Sequence, residues 1–229
     1  MSQGDKTITI SNPWTHLRKH TPARIALGRT GVSVPTAEHL AFQLAHARAR
    51  SAVHHAIDLS KLAHDLGRLG PVIEVESAAP DRPTYLQRPD LGRRLSSASS
   101  AKLASDVKGP FDVAYVIADG LSAFAIEKNI VPFLEVMLPV SDNAGWTRAP
   151  LIVAGQGRVA LGDEIGSIIG ARMVVMLIGE RPGLSSPDSL GIYLTYDPKV
   201  GLTDADRNCI SNVRTEGLSY AEAAYKLHY

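Results

Sequence analysis

The feature that most constrains this chain is a series of short apolar runs that stop at turns and alternate with helix-type segments. Asp112 to Ala118 is rich in β-branched residues and ends abruptly at Asp119-Gly120. Leu151 to Ala154, Met173 to Ile178 and Ile192 to Tyr196 are further buried-strand candidates, and Val72 to Val75 is a shorter one. Between them, Ser122 caps a helix, a second helical stretch runs through Val136, and Asp163 opens a short helix through Ile169. Ser219-Tyr-Ala-Glu222 has capping-box spacing ahead of a terminal helix, because a serine hydroxyl and a glutamate three residues on can satisfy each other's backbone amides. Strands alternating with helices predict an α/β fold: a largely parallel sheet flanked by helices.

The first part of the chain reads differently. Residues 1–70 are expected to form a helical N-terminal segment, in which Thr36 can cap a helix whose Leu40, Leu44 and Ala47 recur at helical spacing. Gly67 closes the segment that follows. Residues 71–229 form the α/β domain. Within it, Pro80, Pro83 and Pro89 are expected to keep regular structure out of residues 80–90, and a serine-rich helix is expected from Arg93 to Asp106.

Composition excludes several classes of function. A chain of 229 residues with 45% hydrophobic and 21% charged residues has ample material for a core. Its formal net charge of +1 provides no overall field to gather nucleic acid or an anionic membrane. The apolar runs are far shorter than the ~20 residues that span a bilayer. Residues 1–13 show no secretory h-region, and the single cysteine, Cys209, suits a reducing compartment. A cytoplasmic protein without nucleic-acid or membrane partners is expected.

Ligands of open α/β sheets sit beyond the carboxyl ends of the strands. That rule points to Asp119-Gly120-Leu121, to the turn at Gly157-Arg158, and to Glu180-Arg181-Pro182-Gly183. Glu180, just past the most apolar run, is placed to accept hydrogen bonds from a ligand's amides or hydroxyls; a plain Glu-Arg pair on a loop rim is the competing reading. Gly155-Gln-Gly157-Arg-Val-Ala160 has the outline of a dinucleotide fingerprint. Yet Val159 and Leu161 suit a strand, and the expected helix starts only at Asp163. Cys209 lies among polar residues with no neighbouring histidine to raise its reactivity, so a packing role is expected. His16, Arg18 and His20 read as a solvated face, and no metal-ligand spacing occurs among the eight histidines. Arg88-Pro-Asp-Leu-Gly-Arg93-Arg94 suits phosphate, acids on another subunit, or plain solvent.

Several blocks carry a family likeness. They are Tyr85-Leu-Gln-Arg-Pro-Asp-Leu-Gly-Arg-Arg-Leu95, Ile117-Ala-Asp-Gly-Leu-Ser122, Gly157-Arg-Val159, Gly162-Asp-Glu-Ile-Gly166, Ile178-Gly-Glu-Arg-Pro-Gly-Leu184 and Ala205-Asp-Arg-Asn-Cys-Ile-Ser-Asn212. In this order they resemble the ethanolamine ammonia-lyase small (light) subunit family. The resemblance implies a subunit of an adenosylcobalamin-dependent lyase that converts ethanolamine to acetaldehyde and ammonia. It implies a large-subunit partner, a TIM barrel carrying the substrate site, with several copies of both chains in the complex. It makes residues 71–229 the cobalamin-contacting domain, with Val159, Glu180 and Cys209 at the corrin and no catalytic residue on this chain. The radical chemistry would belong to the cofactor. The chain lacks Asp-x-His-x-x-Gly, in keeping with a family whose coenzyme keeps its own base on cobalt. In some longer relatives an N-terminal extension is linked to packaging in bacterial microcompartments, and the short N-terminus here leaves that packaging and a free cytoplasmic complex equally open. Two rival readings stand beside this one: a dinucleotide-binding oxidoreductase, and a scaffold subunit of the same complex that no longer holds the corrin.

Overall fold

A computed structural model describes residues 8–229. The chain divides into two compact units, Met1–Ser51 with Gly183–Ser185, and Ala52–Pro182 with Ser186–Tyr229. In the described part of the first, Pro13–His20 forms a 3₁₀ helix capped by Asn12, and α1 (Thr36–His54) begins and runs into the second unit. His16, Arg18 and His20 are exposed, and Arg18 pairs with Glu38 at 2.7 Å. Leu40, Leu44 and Ala47 do recur on one side of α1, but all three are exposed rather than facing a core.

The second unit is the α/β domain. Its six strands are β1 (Val72–Glu76), β2 (Phe111–Ala118), β3 (Leu151–Gly155), β4 (Ala171–Gly179), β5 (Leu190–Tyr196) and β6 (Arg207–Val213), in the order β1-β3-β2-β4-β5-β6. The first four in that order are parallel, and β5 and β6 are antiparallel additions at one edge. The sheet is therefore mixed with a parallel core. One face is covered by α2 (Leu59–Leu66), α5 (Ala123–Asn143) and α7 (Tyr220–His228), whose Leu62, Ile130, Phe133 and Leu227 meet Tyr115, Ile117, Val153 and Leu177. On the other face α4 (Ser97–Asp106) and α6 (Leu161–Ile169) bring Leu103 and Ile165 onto Val116, Ile152 and Met176. Both faces of the central strands are buried, which is why those strands read as continuous apolar runs.

Local chemistry explains where the elements depart from expectation. α2 packs on the sheet, on the far side of the 70/71 boundary set from sequence. Residues 82–87 are helical as α3 (Arg82–Gln87): Asp81 caps the Thr84 amide at 2.8 Å, and Pro83 falls in the first turn, where its missing N–H costs nothing. α4 starts at Ser97 rather than Arg93 because Ser96 caps it, and Leu91–Arg93 is a separate 3₁₀ turn. α5 is one helix that continues through Pro132 and Pro139 to Asn143. The carbonyls those prolines leave unpaired belong to Lys128 and Glu135, both on the exposed side, while Ile126, Ile130, Phe133, Met137 and Ser141 hold the other side in the core. Val159–Leu161 is not a strand; α6 begins at Leu161, two residues before Asp163.

Candidate cofactor-binding cleft

From adjacent strands β2 and β3 the chain leaves for opposite faces of the sheet, to α5 and to α6. Such divergence opens a crevice at the strand ends. Here the protein fills it from α3. Arg82, 7% exposed, donates from Nη1 to Asp119 Oδ2 at 3.1 Å and to the Gly120 carbonyl at 2.8 Å, and from Nε to the Val53 carbonyl at 2.8 Å. Asp119 is fully buried, and its Oδ1 accepts the Gly157 amide at 3.2 Å. Burial pushes the Asp119 carboxyl up to about 6, against the opposing pull of Arg82 and the backbone amides. The buried Tyr85 donates its hydroxyl to the Gly157 carbonyl at 3.1 Å. Its ring lies between the Arg82 and Arg158 guanidiniums, 4.8 Å and 4.3 Å from the centroid.

This packing explains why the glycine-rich turn is not a phosphate cradle. The Gly157 amide that a pyrophosphate would need is held by Asp119. The first turn of α6 carries two buried carboxylates: Glu164 accepts the Leu95 amide at 2.9 Å and the Arg94 guanidinium at 3.0 Å, and Asp163 pairs with Arg207. Negative charge there opposes an anion at the helix N-terminus.

What remains open is a cleft of about 440 Å³ between the Gly157–Val159 turn and the β4–β5 ends. Arg158 and Val159 line it from the turn after β3, Ile178, Glu180 and Arg181 from the end of β4, and Tyr193 from β5. The turn is fastened at several points: besides Asp119 and Tyr85, the Arg158 amide donates to the Gly92 carbonyl at 2.7 Å. The β4 end depends on a tight crossing in which the Leu121 amide donates to the Gly179 carbonyl at 2.9 Å. A Cβ on Gly179 would lie 2.0 Å from the Ser122 carbonyl oxygen, so only glycine permits this approach. Glu180 is set by Oε2, which accepts from the Ser189 hydroxyl and from the Asn212 amide at 3.3 Å. No described residue hydrogen-bonds to its other oxygen.

The structure thus brings Val159 and Glu180 to the lining of one cleft. Cys209 does not line it. The cysteine lies one strand further on, on β6, paired in register with Tyr193 of β5 and exposed on the side covered elsewhere by α6. Desolvation, with the Glu180 and Asp204 carboxylates adding to it, raises the thiol above its ordinary value, while a hydrogen bond with Tyr193 opposes the rise. Burial pushes Tyr193 itself up to about 12. A protonated thiol beside a protonated phenol is a packing surface rather than a nucleophile. Arg82 and Tyr193 carry no local signature in the sequence; Tyr193 could have been read from the alternation of β5, where it faces the same side as Met176.

Among the described residues no group of three potential metal ligands occurs, and no helix is long and apolar enough to cross a membrane. The fold and cleft define an α/β protein with an open cleft at the strand ends. The chain belongs to the ethanolamine ammonia-lyase light-chain family, whose sequence profile matches residues 11–229. It is 58% identical to the ethanolamine ammonia-lyase small subunit of Pseudomonas syringae pv. tomato over 100% of this chain and 81% of that protein. It is 60% identical to the small subunit of Pseudomonas fluorescens (95% and 80% covered) and 57% identical to that of Azotobacter vinelandii (98% and 85% covered).

Proposed function

We propose that this chain, with its large subunit, converts ethanolamine to acetaldehyde and ammonia with adenosylcobalamin, and that its cleft holds one edge of the corrin. The observation that carries the reading is the cleft itself: it is open on one side, and its walls mix acceptors, donors and apolar surface. A corrin periphery presents primary amides, and its nucleotide arm a ribose, so it offers N–H and O–H donors as well as acceptors. Glu180 meets that chemistry with a carboxylate already fixed through Oε2 and with Oε1 free of hydrogen bonds to described residues. Arg158 and Arg181 face carbonyl or phosphate oxygens as donors. Val159 and Tyr193 offer apolar surface for the macrocycle's methyl and methylene groups, and Cys209 extends that surface across β6.

A cleft of about 440 Å³ takes only the rim of so large a group, which fits a subunit that encloses the coenzyme against a partner. When bound, the coenzyme supplies radical chemistry by homolysis of its cobalt–carbon bond. This chain's residues bind and orient the corrin and exclude water along one side, and the substrate site is assigned to the large subunit. The complex contains several copies of both chains and belongs in the cytoplasm, free or inside a microcompartment. The test is co-expression with a cognate large subunit and an assay of acetaldehyde from ethanolamine. Coenzyme-dependent product that disappears when either chain is omitted supports the reading. No product from an assembled complex refutes it in favour of a scaffold subunit.

A further inference from the structure

Glu180 is held by more than its two direct partners. The amide that reaches its Oε2 from Asn212 belongs to a residue in the left-handed region, at φ 59°. Few residues other than glycine enter that region readily, and asparagine is one of them. The turn after β6 closes on this residue: the Leu218 amide donates to the Asn212 carbonyl at 2.8 Å, and Arg214 Nε donates to its side-chain Oδ1 at 3.2 Å.

Arg214 is itself 5% exposed, and a buried guanidinium is destabilising unless it is paired. Its Nη1 pairs with Asp188 Oδ1 at 3.0 Å. Asp188 accepts from Lys128 at its other carboxylate oxygen, and its carbonyl accepts from the fully buried Asn129 at 2.8 Å. A continuous polar chain therefore runs from Asn129 through Asp188, Arg214 and Asn212 to Glu180. Ser189, next to Asp188 in sequence, brings the second donor to the same oxygen of Glu180. The Asp188–Arg214 pair alone ties the turn after β6 to the residues that lead into β5. The Nε bond goes further, since it fixes the residue whose amide meets Glu180. With Oε2 engaged twice, Oε1 has no hydrogen-bond partner among the described residues, and Glu180 lines the cleft. A carboxylate held in this way has less rotamer freedom to lose when a ligand arrives.

We propose that Asn212 and Arg214 are positioning residues for coenzyme binding: Arg214 fixes Asn212, and Asn212 together with Ser189 holds Glu180 with one carboxylate oxygen available to the corrin's donors. The proposal rests on the reading of Glu180 as a coenzyme contact. It is tested in the assembled two-chain complex by titrating adenosylcobalamin, followed by its visible absorbance, at about pH 8, where carboxylates are ionised. Asn212→Gly removes the side-chain acceptor and Asn212→Asp keeps it, while both tolerate a positive φ, so this pair of variants isolates the link to Arg214. Asn212→Gly is expected to weaken the coenzyme Kd by about 3-fold to 10-fold, the fold-change of one net hydrogen bond, and Asn212→Asp to bind as wild type does. Arg214→Lys, which keeps a charge facing Asp188 but loses the Nε donor, is expected to weaken Kd in the same range. Should that buried change prevent assembly, the Asn212 pair decides alone. Neither Asn212→Gly nor Arg214→Lys weakens binding further once Glu180→Ala is present, because both act through that carboxylate; a purely structural defect would add to it. Additive losses with Glu180→Ala overturn the positioning role while leaving Glu180 as a contact. So does wild-type affinity in Asn212→Gly, or an Asn212→Asp complex as weak as Asn212→Gly. Wild-type affinity in Glu180→Ala overturns the reading of the cleft and the positioning role with it.

Discussion

Replacing Asp119 with alanine tests how the cleft wall is held. The change leaves Arg82 buried with its counter-charge gone, its Nη2 already without a partner, and the Gly157 amide without an acceptor. Breaking a buried ion pair from one side costs about 3–5 kcal/mol. An orphaned buried amide costs about 1–3 kcal/mol by itself. The Gly120 and Val53 carbonyls still hold Arg82, so the two costs overlap rather than add, and a total near 3–5 kcal/mol is expected. For a protein of this size that lowers the melting temperature by about 10 °C, read by thermal unfolding of the full chain. Arg82→Met combined with Asp119→Ala recovers part of the loss, because no buried charge is left unpaired. The wild-type carboxyl also predicts a pH signature. Its folded value, about 6, lies above the ordinary 3.8, so the folded state holds the proton more tightly than the unfolded chain. This group's contribution to stability is therefore greatest at low pH and declines as pH rises from about 4 to about 6. Urea unfolding across that window reads this as a difference: the stability of wild type relative to Asp119→Asn falls as pH rises from about 4 to about 6, on top of the pH dependence that the other carboxylates give both proteins. A melting temperature lowered by less than about 3 °C in Asp119→Ala, or strict additivity with Arg82→Met, refutes the reasoning.

Two further outcomes follow from the same geometry. Gly179→Ala forces a methyl group onto the Ser122 and Asp119 carbonyl oxygens, so soluble expression collapses or the melting temperature falls sharply; a variant with wild-type stability contradicts the tight crossing. Cys209 is exposed but has a raised thiol value, so its reaction with a disulfide reagent is slow at neutral pH and keeps accelerating beyond the pH at which an ordinary thiol levels off. Cys209→Ser leaves folding unchanged, as thermal unfolding checks.

The parallel core was legible because β2, β3 and β4 are buried on both faces and so write themselves as unbroken apolar runs. Strand-end logic pointed to Glu180 and to the Gly157 turn, and the parallel core brings residues of both to one cleft. β6 was not legible: at the sheet edge its Asn208, Cys209, Ser211 and Asn212 are exposed, so no alternation marks it as a strand. α5 hid its length because two prolines ordinarily end helices, and only the burial of its far side shows why these do not. The filling of the β2–β3 crevice by Arg82 and Tyr85 is a long-range event, and a helix of six residues behind Asp81 gives no local hint of what it will meet. The stripe on α1 was read correctly as a helix periodicity, but its exposure is a property of the fold.

Whether the proposed cleft binds the coenzyme is tested through Glu180. Adenosylcobalamin is titrated into the assembled two-chain complex, wild type or Glu180→Ala, and followed by its visible absorbance, with complex assembly measured on the same samples. A carboxylate that accepts hydrogen bonds from a ligand is worth about 1.5–3 kcal/mol, so the coenzyme Kd is expected to be at least about 10-fold weaker in an intact Glu180→Ala complex. An intact Glu180→Ala complex that binds coenzyme as tightly as wild type contradicts it.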